Sequence, residues 1–323
     1  MGEFDLIDRF FKRPPHRATV GIGDDCAIWT PSAGHQLALS TDMLVEGRHF
    51  LSSVDPARLG HKSLAVNLSD LAACGATPRA FLLSLALPRV DEDWLAGFSQ
   101  GLLALADAHQ CELIGGDTTQ GPLNISITVM GEVPAGQAIL RRGAQTGDDL
   151  YVSGHLGDAR LALEAFRGRI SLPQAVFDAA RLRMESPTPR IALGQALRGT
   201  ATAMADISDG LLGDLSHILR ASGVGACIET GRMTELMSCT GPSTNGWTCP
   251  PEWALTCMLS GGDDYELAFT APPSAQSAVQ AAALSSYTPV TRIGQITAAP
   301  GLVLHDAAGQ PLHNTFRSFD HFA

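Results

Sequence analysis

Aspartates recur in this chain where an apolar run, typical of a strand, stops at glycine or another small residue. Such sites occur at residues 21–25 (GIGDD), 40–42 (STD), 115–119 (GGDTT), 205–210 (ADISDG) and 261–264 (GGDD). Strand ends bring side chains from separate elements together, and small neighbours let a ligand approach the backbone. Hard cations such as Mg²⁺ prefer carboxylate oxygens, with water and phosphate oxygens as further ligands. The set therefore predicts several metal ions that bridge a polyphosphate.

Each of these aspartates also has a plain structural explanation. Asp beside Gly is a common turn pair, and Asp frequently caps helices. The segment GIGDD lacks the third glycine of G-x-G-x-x-G, because Cys26 stands there, and the chain contains no G-x-x-x-x-G-K-[ST] loop. Asp70 lies inside a predicted helix, and Asp214 is expected to face solvent or to cap helix contacts. The hypothesis of a metal–phosphate site therefore depends on the whole set.

Composition narrows the class of protein. The 323 residues are 45% hydrophobic and 17% charged, which is typical of a globular chain of about two domains. The net charge of −11 disfavours a nucleic-acid partner. The only lysines are Lys12 and Lys62, so phosphate would be held by arginine, backbone N–H groups or metal ions. Seven cysteines without a C-x-x-C pair predict reduced thiols in a cytoplasmic protein. The longest apolar stretch, residues 80–88, is too short to span a membrane, so no membrane partner is expected.

The elements that must position the aspartates follow from periodicity and turn signals. In the first half we predict strands at 36–41, 80–87, 112–114 and 124–133, with helices at 56–74 and 91–109. In the second half we predict strands at 150–153, 203–205 and 265–270, with helices at 158–166, 174–185, 189–197 and 208–222. Turn residues accumulate over 133–149, which predicts domains at 1–137 and 138–323. A strict βαβ rhythm is absent, so the predicted class is α+β.

Six motifs together resemble the bacterial thiamine-monophosphate kinase family of the PurM-like, or aminoimidazole ribonucleotide synthetase, superfamily. They are GIGDDCA, STDMLVEGRHF, AVNLSDLAACGA, LIGGDTT, DISDGLLGDL and SGGDDYEL, in this order and over essentially the whole chain. The resemblance implies a two-domain PurM-like fold, in which an N-terminal α/β domain forms a dimeric β-barrel interface and a C-terminal domain is an α/β sandwich. It implies ATP-dependent phosphorylation of thiamine monophosphate to thiamine diphosphate, several Mg²⁺ ions and a homodimer.

The same resemblance implies roles for individual residues. The implied metal ligands are Asp25, Ser40, Thr41, Asp42, Asp70, Asp117, Asp206 and Asp209. The implied ATP-binding residues are Gly116, Asp117, Arg141 and Ser208, and the implied substrate-binding residues are His49, Asp263 and Phe316. Asp42, Asp117 and Asp209 are the implied catalytic residues. The chain departs from the family pattern at Asp263, where Glu is usual, and at Phe316, where Trp is common.

This chemistry suits the residues present. Phosphoryl transfer needs positioning and charge neutralisation more than covalent help, and bound metal ions supply both. The attacking group would be an already anionic phosphate, so no general base is required. An aromatic face and an acidic side chain, such as Phe316 and Asp263, suit the cationic thiamine rings.

Three other functions compete with the kinase. One is another PurM-like ATP-dependent synthetase, which acts through a phosphorylated amide or selenide; the selenium enzyme is disfavoured because no cysteine precedes Cys26. A second is a non-catalytic module that binds nucleotide or thiamine phosphate. A third is a two-metal phosphatase, which would release phosphate without ATP.

Overall fold

The computed structural model describes residues 2–233, 236–239 and 246–316, and its backbone contacts divide the chain into two units. Unit 1 comprises residues 1–71 and 76–136, and unit 2 comprises residues 72–75 and 137–323. Each unit mixes helices with a mixed sheet, which confirms the α+β class. No helix among the described residues is long and apolar enough to cross a membrane.

Unit 1 is built on a four-stranded sheet of order β1-β4-β2-β3. Its strands are β1 (His35–Val45), β2 (Thr77–Leu87), β3 (Glu112–Gln120) and β4 (Asn124–Pro134), and its helices are α1 (Glu3–Phe10), α2 (Pro56–Ala73) and α3 (Glu92–Ala108). β2 runs parallel to β3 and antiparallel to β4, and β4 runs antiparallel to β1. One face of the sheet is buried: Phe81, Leu83 and Leu85 alternate along β2, beside Ile125 and Ile127 of β4.

Local sequence explains how α2 and α3 form and meet. The Asp91 side chain accepts the Trp94 N–H at 3.1 Å and so caps the start of α3. Glycines then allow the two helix backbones to touch, because a Cβ at Gly101 would lie 1.8 Å from the Ala57 carbonyl oxygen. A Cβ at Gly60 would lie 2.0 Å from the Phe98 carbonyl oxygen. This close contact holds α2 in place, and α2 presents Asn67 and Asp70 to β1.

Unit 2 is built on a seven-stranded sheet of order β11-β10-β7-β9-β5-β8-β6. Its strands are β5 (Asp149–Ser153), β6 (Ala203–Ile207), β7 (Gly225–Glu229), β8 (Glu266–Ala271), β9 (Val290–Thr297), β10 (Gly301–His305) and β11 (Pro311–Leu312). Its helices are α4 (Asp158–Phe166), α5 (Gln174–Glu185), α6 (Ile191–Ala196), α7 (Leu211–Ser222), α8 (Pro251–Ser260) and α9 (Gln276–Ser285). An apolar core that includes Leu150, Val152, Leu215 and Ala268 fixes the position of β6 and β8.

The predicted positions of several aspartates need correction. Asp42 and Asp117 lie inside β1 and β3, whereas the sequence placed both at strand ends. β1 continues to Val45 and β3 to Gln120 because each is hydrogen-bonded along its length to a neighbouring strand. The sequence analysis also missed elements with weak local signals: α1, α8, α9, β7, β9, β10 and β11.

Candidate functional site

In unit 1, hydrogen bonds join polar residues of β1 (Ser40 and Asp42) to polar residues of α2 (Asn67 and Asp70). Ser40 Oγ donates a hydrogen bond to the Asp70 carboxylate, and the Asp42 backbone N–H donates to Asn67 Oδ1 at 3.1 Å. Asn67 is itself fixed, since its Nδ2 donates to the Ser63 carbonyl oxygen at 3.0 Å. The structure thus brings together three of the predicted metal ligands, Ser40, Asp42 and Asp70. The sequence analysis missed Asn67, although it stands in the NLSD motif.

Thr41 lies between Ser40 and Asp42 but belongs to the other face of the sheet, because side chains alternate along a strand. Its hydroxyl donates to the Ile127 carbonyl oxygen at 3.0 Å and accepts the Thr128 hydroxyl at 3.1 Å. The side chain of this predicted ligand is therefore engaged by β4.

Gly116 and Asp117 lie in β3, at the far edge of the same sheet. Gly116 has a φ of +152°, and a Cβ there would lie 1.8 Å from the Leu83 carbonyl oxygen, so only glycine fits without displacement. Asp117 is exposed and is aligned with Ser84 of β2. β4 and β2 lie between β1 and β3 in the order of the sheet. No hydrogen bond described here joins Asp117 to Ser40, Asp42 or Asp70.

Two other predicted residues of unit 1 lie in loops. Asp25 is exposed, and its backbone N–H donates to Asp24 Oδ1 at 2.8 Å. His49 follows β1 in a tight turn, where its Nδ1 accepts the Val45 N–H at 3.0 Å. That hydrogen bond assigns the proton of a neutral His49 ring to Nε2.

In unit 2, Asp206 is buried near the end of β6, and Ser208 and Asp209 form the connection to α7. Asp214 Oδ2 accepts the backbone N–H groups of both Ser208 and Asp209 at 3.0 Å. Burial raises the pKa of Asp214 to about 6, although these two hydrogen bonds and the charge of Arg141 act in the opposite direction. Asp214 is 5% exposed, so the expectation that it faces solvent is wrong, whereas its hydrogen bonds from the N–H groups ahead of α7 agree with the alternative expectation that it caps helix contacts.

The segment between α8 and β8 is hydrogen-bonded to the end of β6. The Asp263 N–H donates to the Ser208 carbonyl oxygen at 2.8 Å, and the Tyr265 N–H donates to the Ile207 carbonyl oxygen at 2.9 Å. Asp263 and Tyr265 both have positive φ angles, +68° and +51°, which are uncommon for residues other than glycine. The structure therefore places the predicted substrate residue Asp263 next to the predicted nucleotide residue Ser208.

Two other acidic residues of the GGDDYEL motif have buried partners. Asp264 is 3% exposed and accepts the Gly157 N–H at 3.0 Å, and burial raises its pKa well above the usual range. Glu266 is fully buried and accepts Arg183 Nη2 at 2.8 Å and Ser153 Oγ at 2.6 Å. Asp263 is thus the acidic residue of this motif that remains partly exposed.

The remaining predicted residues of unit 2 are Arg141 and Phe316. Arg141 is exposed, and its backbone carbonyl oxygen accepts the hydroxyl of Ser222, at the end of α7, at 3.4 Å. Its charge opposes the burial that raises the pKa of Asp214. Phe316 packs against the core of unit 2, and its N–H donates to Asn314 Oδ1 at 3.2 Å.

The donor chemistry suits Mg²⁺ better than a softer metal. Within residues 2–233, 236–239 and 246–316, no three His, Cys, Asp or Glu side chains are grouped so that they could hold a metal ion by themselves. Ser40, Asp42 and Asp70 nevertheless supply two carboxylates and a hydroxyl. Mg²⁺ is typically bound by one or two carboxylates, with water and substrate phosphates as the other ligands. The oxygen set therefore fits an ion that arrives with a nucleotide.

Comparisons with known proteins match this arrangement along the entire chain. The family described as AIR synthase related protein, N-terminal domain, matches residues 23–133, and the corresponding C-terminal domain family matches residues 145–307. A thiamine-monophosphate kinase of Salmonella typhimurium is 44% identical over 100% of this chain and 98% of its own length. That of Haemophilus influenzae is 42% identical over the same shares of both chains.

Solved structures give the same result. A thiamine-monophosphate kinase from Stenotrophomonas maltophilia is 42% identical, has a TM-score of 0.85, and the match covers 97% of this chain and 98% of that chain. A structure described as AaThiL complexed with AMPPCP and TMP is 30% identical, with a TM-score of 0.76 over 99% of this chain and 97% of that chain. The two matched domain families and the similarity to these solved structures confirm the predicted two-domain PurM-like fold. The chain belongs to the thiamine-monophosphate kinase family.

Proposed function

We propose that this protein transfers the γ-phosphoryl group of ATP to thiamine monophosphate and so forms thiamine diphosphate and ADP. The observation that carries the proposal is the full-length similarity to thiamine-monophosphate kinases, at 44% identity. It is supported by the structure in complex with AMPPCP and TMP, whose match covers 99% of this chain. The reaction is the step of thiamine biosynthesis that makes the diphosphate.

The reaction is a direct in-line transfer. A phosphate oxygen of thiamine monophosphate attacks the γ-phosphorus, the bond between that phosphorus and the β–γ bridging oxygen breaks, and ADP leaves with the electron pair. The attacking oxygen is already anionic, so the site needs no general base. The task of the side chains is therefore to hold the two anionic substrates in line and to neutralise their charge.

We assign the metal sites to the carboxylates. The proposed ligands are Asp25, Ser40, Thr41, Asp42, Asp70, Asp117, Asp206 and Asp209. Thr41 would contribute its backbone carbonyl oxygen, because its hydroxyl is engaged by β4 on the other face of the sheet. When bound, Mg²⁺ would neutralise phosphate charge and polarise the phosphoryl group. Asp42 lies in β1 and Asp117 in β3, the two edge strands of the sheet of unit 1, so the proposed ligands come from both edges of that sheet.

Substrate contacts are assigned to two groups of residues. Gly116, Asp117, Arg141 and Ser208 would bind ATP: Gly116 keeps the β3 backbone clear of side chains, and Arg141 supplies positive charge beside the Ser208 backbone. His49, Asp263 and Phe316 would bind thiamine monophosphate. His49 could donate from Nε2 to a phosphate oxygen, because its Nδ1 already accepts a backbone N–H.

We also propose a homodimer in the cytoplasm. Leu37, Leu39 and Met43 lie on one face of β1 and are 46%, 63% and 53% exposed. Exposed apolar residues that line one face of a strand favour contact with another sheet. The seven cysteines are all free thiols, as expected in a reducing compartment.

The test is a discontinuous assay with purified protein, ATP, Mg²⁺ and thiamine monophosphate, with products separated by chromatography. We expect thiamine diphosphate and ADP in equal amounts, and no product when EDTA removes the metal. Asp42→Asn keeps the size of the side chain and removes its charge, so kcat should fall at least about a hundredfold. The matched control Asp93→Asn, at an exposed position in the first turn of α3, should leave kcat unchanged.

Each competing function predicts a different outcome of the same assay. Phosphate released from thiamine phosphates without ATP would identify a phosphatase. Binding of both ligands with no turnover by the wild-type protein would identify a non-catalytic module. ATP hydrolysis that depends on an acceptor other than thiamine monophosphate would favour another PurM-like synthetase.

A further inference from the structure

We propose that Tyr265 is a positioning residue for substrate recognition, and that its hydroxyl fixes the direction of the Asp263 carboxylate. This inference rests on the proposed function, in which Asp263 contacts thiamine monophosphate. Tyr265 Oη donates to Asp263 Oδ1 at 3.1 Å. Tyr265 is 8% exposed, so the surrounding protein holds its ring, and its hydroxyl is a fixed donor.

The backbone of this segment is unusual and firmly held. Asp263 and Tyr265 adopt left-handed φ angles within three residues of each other, a conformation that costs energy for residues with a Cβ. Such conformations persist where neighbouring structure fixes them, and they cluster at functional sites. Here the two residues with left-handed φ angles, Asp263 and Tyr265, are also the two whose side chains are hydrogen-bonded to each other.

Neighbouring residues anchor the segment on both sides. The backbone N–H groups of Asp263 and Tyr265 donate to the carbonyl oxygens of Ser208 and Ile207. Asp264 binds the Gly157 N–H at the start of α4, and Glu266 is held by Arg183 at 2.8 Å. These contacts fix the backbone on both sides of the Asp263 side chain, so the hydrogen bond from Tyr265 acts on a side chain whose main chain is already held.

The short side chain at position 263 makes this orientation important. Aspartate has a short side chain with a single methylene, so its carboxylate can reach a substrate group from few positions. The hydrogen bond from Tyr265 Oη to Asp263 Oδ1 favours one rotamer of Asp263. Tyr265 therefore acts through Asp263 and is not required to touch the substrate.

The experiment is a double-mutant cycle on the full-length enzyme with Tyr265→Phe, Asp263→Ala and the double variant. Tyr265→Phe should raise KM for thiamine monophosphate about tenfold, the order expected for loss of a hydrogen bond to a charged group. KM for ATP and the kcat at saturation should stay within about twofold. In the Asp263→Ala background, Tyr265→Phe should have no further effect on KM for thiamine monophosphate.

The control is Tyr151→Phe. It removes another buried hydroxyl of unit 2, which lies 3.5 Å from Asp149 Oδ2, and it should leave both KM values unchanged. Thermal unfolding of every variant checks its folding. If Tyr265→Phe does not fold, a trifluorotyrosine incorporated at position 265 tests the same hydrogen bond, because its hydroxyl ionises at lower pH and then cannot donate, so KM for thiamine monophosphate should rise with pH in that protein and not in wild type.

Outcomes for the inference and for the proposed function are distinguishable. If the wild-type enzyme turns over and Tyr265→Phe has unchanged KM values, the inference is wrong and the function stands. Independent, additive effects of the two substitutions would also overturn it, because they would indicate direct contact of Tyr265 with substrate. A wild-type protein that neither binds nor phosphorylates thiamine monophosphate overturns the proposed function and the inference together.

Discussion

Asp214 shows how one buried side chain can organise residues that the sequence assigned to ligand binding. Its Oδ2 atom accepts the N–H groups of Ser208 and Asp209, and both lie in the connection from β6 to α7. Burial is the largest influence on this carboxyl group and raises its pKa from 3.8 to about 6. The native protein therefore binds a proton at Asp214 at pH values where the unfolded chain has released it.

The sign of the resulting pH dependence follows from linkage. Between about pH 4 and pH 6 the native state holds more protons at Asp214 than the unfolded state, so this residue's contribution to the unfolding free energy falls as pH rises. The loss is complete above about pH 7 and amounts to at most about 3 kcal/mol. Asp214→Asn cannot ionise, and its amide oxygen can still accept both N–H groups. We expect the stability of Asp214→Asn relative to wild type to increase from pH 4 to pH 7.

Denaturant unfolding in EDTA at several pH values measures this difference. Asp93→Asn is the control, and its stability relative to wild type should not follow the same pH dependence. A flat difference between Asp214→Asn and wild type across pH 4 to pH 7 would contradict the raised pKa of Asp214.

At the scale of elements, the sequence predicted the ends of two helices better than the ends of the strands that hold the motifs. The bounds of α4 and α5 are as predicted, because apolar periodicity and flanking turn residues mark them. The STD and GGDTT motifs, in contrast, lie within β1 and β3. Successive residues of these two motifs lie on opposite faces of the sheet. Each strand extends through its motif because it pairs with β4 or β2, whose residues are distant in the sequence. Local sequence contains no signal for such pairing.

The same limit applies to the candidate site. The motifs identified the acidic residues by type, but the supporting partners Asn67, Asp214 and Tyr265 became visible only through hydrogen bonds. Each of them stands within a few residues of a predicted ligand, so proximity in sequence was a usable signal. Their donor and acceptor roles depend on the register between α2 and β1 and between β6 and the segment before β8, which one sequence does not reveal.

Gly116, the second glycine of the GGDTT motif, allows β3 to lie close to β2. A methyl group there would lie 1.8 Å from the Leu83 carbonyl oxygen, and the φ of +152° adds backbone strain. We expect Gly116→Ala to lower the unfolding free energy by about 3 kcal/mol and to abolish ATP binding, since β3 must move away from β2. Gly121→Ala is the matched control, because its Cβ would meet only the Ala86 Cβ at 3.6 Å. Chemical denaturation and nucleotide titration measure both effects, and equal stability of the two variants would contradict this explanation of Gly116.

At the scale of the whole molecule, the open sheet of unit 1 is the feature that leaves apolar surface exposed. β1 is an edge strand of this sheet, and its exposed Leu39 is paired in register with Met130 of β4. The chain is acidic, with a net charge of −11, so apolar contact rather than charge attraction must drive association of two copies. A second copy of the sheet would bury Leu37, Leu39 and Met43 at once.

Leu39→Lys tests this association directly. A lysine at the centre of the exposed apolar face would place a cation from each copy into the contact, where burying an unpaired charge is costly. Wild type should have twice the 34.0 kDa mass of one chain in sedimentation equilibrium, and Leu39→Lys should have the mass of one chain. Leu284→Lys, a substitution at a 77% exposed leucine of α9, should leave the mass of the wild-type assembly unchanged.

Loss of the dimer should also lower kinase activity, because Leu39 neighbours Ser40 in β1. A fully active monomeric Leu39→Lys variant would show instead that catalysis does not depend on assembly. A wild-type protein with the mass of one chain at micromolar concentration would refute the proposed homodimer.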